Sequence, residues 1–303
     1  MILAVLVCGF CVAQASQVYI AGYDGNDAVY WLNGGQTALP KAGSTARATA
    51  IAVAGANVYI AGYDGNDAVY WLNGKRTALP KAGSTARATA IAVSGSNVYI
   101  AGDDGNDAVY WFNGNRAALP KAGSAAKATA IAVSGSNAYI AGDDGNDAVY
   151  WLNGRRTSLP RTGSTARVSA IAVSGANVYI AGDDGNDAVY WFNGNKTALP
   201  YQLDKATAIS IALSGSEIIV AGVDVYAAGY TTAAYWVKRK QYFLPTLHED
   251  KLNYGATAVA INGLNVFIVG YDLHDAVYWL NGRRMALPMT GAQAKAAAIV
   301  ITP

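Results

Sequence analysis

Carboxylates at the tips of turns are the first residues here that could do chemistry. The tetrapeptide Asp-Gly-Asn-Asp occurs at 24–27, 64–67, 104–107, 144–147 and 184–187. Paired carboxylates can hold calcium or move protons. Calcium needs six or more oxygen ligands, and one such turn offers about three. The spacing also lacks the D-x-D-x-D-G order of an EF-hand. Asp, Gly and Asn are what a β-turn selects for backbone reasons, so we read turns and assign no metal. Asp104, Asp107, Asp144, Asp147, Asp184 and Asp187 stay as candidate ligand-binding residues. A glycosidase needs two carboxyls in different environments, and a repeated turn supplies the same environment each time. Other catalytic material is scarce. The two cysteines are Cys8 and Cys11, and the two histidines are His248 and His274. No cofactor is expected, and catalysis is not the favoured reading.

Aromatic residues are the second chemical resource. Trp31, Trp71, Trp111, Trp151, Trp191, Trp236 and Trp279 are each followed nine residues later by a proline. With their Tyr neighbours they could form sugar-binding shelves, repeated around a lectin. One Trp per unit is also what packing alone would produce, and packing is the stronger expectation. Basic turns such as Lys75-Arg76 could meet anionic partners, or could simply keep a rim solvated. No nucleic-acid recognition is expected, because the formal net charge is only +2.

These residues recur because the chain repeats. The string VYIAGYDGNDAVYWLNG starts at Val18 and again at Val58, with variants from Val98, Ala138, Val178, Ile218 and Val266. Each unit reads as four short strands, with Asn-Gly predicting a type I′ hairpin between the third and fourth. Four antiparallel strands in about 40 residues, seven times over, predict an all-β, seven-bladed β-propeller. The last strand, near Ala296–Ile301, is expected to join the blade that begins at Val18 and so close the ring. The alanine-rich first strand should be innermost, where blades converge. The fourth, short and ended by Pro, should be outermost, where it blunts edge pairing.

Antiparallel blades put turns two-to-three and the inter-blade links on one face. By position, that face holds every acid except Glu217, while the 22 bases divide equally between the faces. A two-faced, dipolar disc is therefore expected, with Lys75, Arg76, Arg116, Arg156, Lys196 and Arg284 on the basic side. Arg47, Arg87, Lys127 and Arg167, entering the first strands, should pair with the turn carboxylates.

Unit six is the singular one. It carries extra residues between Asp224 and Ala233 and between Pro245 and Ala256. Long loops on rigid frames often carry function. Tyr226, Tyr230, His248, Glu249 and Asp250 are the candidate mixed ligand site there, with drift of an older unit as the alternative.

Residues 1–15 read as a signal peptide. The apolar run ILAVLVCGFCVA is too short to span a bilayer, and Ala13-Gln14-Ala15 fits a cleavage pattern. Residues 16–303 are then one propeller domain, with no transmembrane segment after cleavage and a monomeric state expected.

The blade resembles one found in exported bacterial repeat proteins, built on VYVAG, YWxNG and SIAVSG. The matching residues are Val58-Tyr-Ile-Ala-Gly62, Tyr70-Trp71-Leu72-Asn73-Gly74 and Ile91-Ala-Val-Ser-Gly95. The resemblance covers essentially residues 17–303 and implies a propeller and export, periplasmic or extracellular, but no activity. The expected function is thus a secreted, non-catalytic binding or scaffold propeller. Multivalent carbohydrate binding at repeated inter-blade sites is one form of it. A protein scaffold at the cell surface and a single-site enzyme on unit six are the alternatives.

Overall fold

The Asn-Gly pairs do what their chemistry dictates. Asn73 and Gly74 sit at φ 50° and 81°, the left-handed region that a type I′ turn demands. The Asn73 side chain adds a lock, its Oδ1 accepting from the Val58 N–H at 2.8 Å. In the computed structural model, which describes residues 16–227, 229–247 and 253–302, this hairpin recurs around a ring. The signal-peptide expectation for 1–15 lies outside the described residues.

A typical blade contains Ala46–Ala54, Asn57–Asp64, Asp67–Leu72 and Lys75–Ala78, paired antiparallel in that order. Seven such four-stranded sheets are present, so the protein is a seven-bladed β-propeller. Blades are numbered here by their second strand, from Gln17–Asp24 in blade one. The C-terminal strand Ala294–Thr302 pairs antiparallel with Gln17–Asp24 and completes blade one. First strands neighbour one another all the way round, from Ala294–Thr302 through Ala46–Ala54 and back, so they are innermost, as the alanine pattern predicts.

The hydrophobic core lies between blades. Ala21, Ala28 and Leu39 of blade one pack with Ala46, Ile51, Ile60, Val69 and Trp71 of blade two. An equivalent cluster fills each other seam. Each first strand also carries a bulge, between Ala48 and Ala50 in blade two. The residue at the bulge, Thr49, uses its hydroxyl to bridge the carbonyls of Ala61 (3.0 Å) and of Ala88 in the next blade (2.8 Å). The bulge brings backbone close to Gly62, where a Cβ would meet the Arg47 carbonyl oxygen at 2.0 Å. That approach, not a turn, explains the glycine in the middle of VYIAG.

Candidate binding site on blade six

The repeated acids are structural. Asp104 ends its strand with a fully buried side chain. It accepts the N–H groups of Ala82 (2.6 Å) and Gly83 (2.8 Å) from the preceding inter-blade link. Arg116 Nε lies 2.7 Å from its second oxygen. Asp144 repeats this with Ala122, Gly123 and Arg156. Asp184 does so with Thr162, Gly163 and Lys196. Burial pushes these carboxyls up, but the N–H donors and the cations outweigh it. All three are held low, Asp184 at about 2. A buried charge needs a partner, and a long side chain from the fourth strand supplies one.

This corrects the two-faced charge expectation. Arg76, Arg116, Arg156, Lys196 and Arg284 lean along the blade to the buried Asp at its other end. They neutralise acids there and leave the basic face weaker than their turn positions imply.

The second acid of each turn is half-exposed and holds its own blade's link. Asp107 pairs with Lys121 at 2.7 Å and Asp147 with Arg161 at 2.8 Å, while Asp187 accepts from the Tyr201 hydroxyl at 3.1 Å. The six candidate acids of these three turns are therefore engaged within the ring. Among the described residues no group of three or more acids, histidines or cysteines converges as a metal site would need.

The Trp shelves are also absent. All seven indoles are buried to 1% exposure or less. Each N–H donates to a proline carbonyl in the neighbouring blade, as Trp71 does to Pro40 and Trp151 to Pro120, both at 2.8 Å. Trp is the seam itself, as the packing argument anticipates.

A position that sequence reasoning passed over differs from seam to seam. Arg47 does not pair with an acid but stacks 4.1 Å from the ring of Tyr23 in the preceding blade. Arg87 stacks on Tyr63 and Lys295 on Tyr271 in the same way. Only blades three to five place an acid there, Asp103, Asp143 and Asp183. Arg167 then reaches Asp143 at 3.5 Å, as an ion pair. Burial is the main influence on all three carboxyls and pushes them up. The available signal was the Tyr-to-Asp change in otherwise near-identical units.

Blade six departs from the ring at both ends. At the insertion end, the loop closes on itself through Tyr226 N–H to Tyr230 O (2.9 Å) and Gly229 N–H to Tyr226 O (2.8 Å). Tyr230 is 56% exposed, and Leu247, entering the second insertion, is 70% exposed. A parallel bridge between Thr231 and Asn253 joins the roots of the two insertions. The candidate residues His248, Glu249 and Asp250 lie outside the described residues.

The buried acid of blade six also lacks a cation, as does Asp24 of blade one, where Gln36 holds that place. Gln241 stands where the Arg or Lys would be, and Leu203 where the link has Gly. A Cβ at the equivalent Gly43 would sit 2.8 Å from the Asp64 oxygen. Leu203 therefore cannot bring its N–H to Asp224. Asp224 keeps Gln202 N–H (3.1 Å) and Gln241 Nε2 (2.8 Å) on one oxygen. Its other oxygen and Gln241 Oε1 are buried without a partner.

At the opposite end, Lys238-Arg239 replaces Asn-Gly and still adopts the turn, at φ 51° and 62°. Two grooves of about 380 Å³ flank this hairpin. One runs between blades five and six, lined by Tyr190, Ile218, Trp236, Lys238 and Arg239. The other runs between blades six and seven, lined by Tyr235, Tyr242, Val266 and Asn281. Glu217 borders both.

No family model and no curated protein matches the chain. Among solved structures it is similar to the computationally designed Ika8 protein, with 17% identity over 92% of this chain and 79% of that one, and a TM-score of 0.49.

Proposed function

We propose that this chain is a non-catalytic binding propeller working outside the cell, and that it meets its ligand through blade six rather than through seven equal sites. One observation carries the reading. The groups that recur in the units, the Trp indoles and the turn carboxylates, are used up holding blade to blade, whereas most of the exposed and strained departures gather on blade six, with Leu264 and Leu273 of blade seven outside it. Near-identical blades serve as a rigid frame, and the divergent blade presents chemistry the frame does not need. Carbohydrate is the favoured ligand class, because grooves with an aromatic wall and mixed polar groups suit a ring that carries hydroxyls. Export is supported by the apolar leader and the resemblance of the blade to exported repeat proteins. A protein contact is the second reading, favoured by exposed Tyr230 and Leu247 at the insertion end, and by Tyr242 (38%) and Phe243 (42%) on the outer strand of the same blade.

No helix of the described residues is long and apolar enough to cross a membrane. The test is a glycan array on the full chain, followed by amide-exchange mapping with any sugar that binds. Protection confined to blade six and the walls of blades five and seven that face it is expected. Protection spread equally over all blades would sink the reading.

A further inference from the structure

We infer that the groove between blades five and six is a site for an acidic sugar residue, with the carboxylate of a uronic acid held by Arg239. The inference rests on the blade-six reading above and deepens it by naming the ligand.

Three features build this groove, the first and third of them from the same two residues, Lys238 and Arg239. The first is the turn. In the other blades Asn supplies a side-chain acceptor to the second strand, as Asn193 does for Val178 N–H at 2.8 Å. Lys238 has no acceptor to offer the equivalent N–H of Ile218. Arg239 takes a left-handed φ of 62° that glycine adopts without cost and a side chain does not. Strained residues kept at a surface point to function when the strain is observed rather than assumed. The second is the floor. Val220 stands where the other blades have Ile, as at Ile180 and Ile268, and one methyl fewer deepens the seam. The third is the charge. Lys238 is engaged by Glu217 at 3.1 Å. Among the described residues Arg239 makes no hydrogen bond or ion pair. It borders both the groove and a shallower depression that continues along Ala198, Leu199 and Pro200.

Each wall then matches one part of a uronic acid. The guanidinium presents paired N–H donors that fit a carboxylate in a bidentate fashion. The half-buried Tyr190 and Ile218 offer an apolar face to the C–H side of a sugar ring. Glu217 accepts from hydroxyls, and Ser216 both donates and accepts. A volume of about 380 Å³ falls at the small end of the range for ligand sites, consistent with one ring per groove. A bare inorganic anion would leave the aromatic wall and Glu217 without purpose. A neutral sugar would leave Arg239 without a partner.

The experiment is calorimetric titration of the full chain with short oligogalacturonates, matched neutral galactose oligomers and sodium sulfate. The decisive variant is Lys238→Asn/Arg239→Gly, which restores the turn used by the other blades and so should fold at least as well. We expect one uronate site per chain, affinity at least tenfold weaker in the variant, and at least tenfold preference over the neutral oligomer. Unchanged affinity in the variant, equal binding of neutral oligomer, full competition by sulfate, or no uronate binding would each overturn the assignment. Amide-exchange mapping separates the two levels. A different ligand protecting blade six overturns the uronate site alone. Protection of blades that do not border these grooves overturns the blade-six reading as well.

Discussion

Asp184 and Asp224 occupy the same place in adjacent blades, yet replacing each by Asn should have opposite consequences. Burial acts against the Asp184 charge. The Lys196 ammonium, two link N–H groups and the Thr162 hydroxyl more than offset it and lower its pKa from 3.8 to about 2. That shift is close to two units, about 2.5 kcal/mol at ~1.4 kcal/mol per unit. The site lies near the surface, where solvent screens part of that energy, so the figure is an upper bound. Asp184→Asn also turns an amide N–H₂ toward Lys196, and the expected loss is about 2 kcal/mol. Asp224 has no cation and one orphaned oxygen. Asn there removes an unpaired charge and supplies a donor where two acceptors lie unpartnered. A buried unsatisfied group costs about 1–3 kcal/mol, so Asp224→Asn should be neutral or stabilising by about 1 kcal/mol. Urea unfolding of the full chain at pH 7 measures both.

The sign with pH follows from the lowered pKa. Stability from Asp184 is fully present above the unfolded value near 4 and lost as pH falls toward 2. The gap between wild type and Asp184→Asn should therefore be flat above about pH 5 and close by about pH 2. Equal losses at the two positions, or a gap that persists at pH 2, would refute the reasoning.

Gly142→Ala should cost more than 3 kcal/mol or prevent folding, because the new Cβ would lie 1.9 Å from the Lys127 carbonyl oxygen; limited proteolysis would show it. Trp151→Phe leaves the Pro120 carbonyl without its donor and opens a void, for an expected loss of about 2–4 kcal/mol by urea unfolding. Lys238→Asn/Arg239→Gly relieves a left-handed Arg and restores an Asn lock, for a gain of about 1–2 kcal/mol in the same assay. Arg47→Gln removes a cation from the Tyr23 ring at an exposed seam, and a change below about 1 kcal/mol is expected.

Much of the fold is legible in the chain because its signals are local and repeated. Asn73-Gly74 specifies a turn wherever it stands, and seven copies spaced alike specify a ring. The candidate site was less legible. Asp104 and Asp107 look alike in sequence, one residue at each end of a turn. One is buried under a neighbour's link, and the other pairs with a lysine of its own. Arg116 looks like an outer-turn cation, but its side chain reaches Asp104 at the far end of the blade. Gln241 and Leu203 look like drift, and their cost shows only when Asp224 is found with one buried oxygen unpartnered.

By itself, then, the sequence determined the strand pattern, the seven-fold count, the closing role of the last strand and the packing role of tryptophan. Each follows from turn chemistry, side-chain alternation and spacing, which act over a few residues. Only the tertiary structure decided which charges are spent, which are free and where the seam opens. Those properties belong to pairs of blades: a carboxylate here meets N–H groups about 20 residues earlier in the chain, and a groove exists only between two walls. The frame is written in each unit, and the chemistry left over for a ligand is written between units.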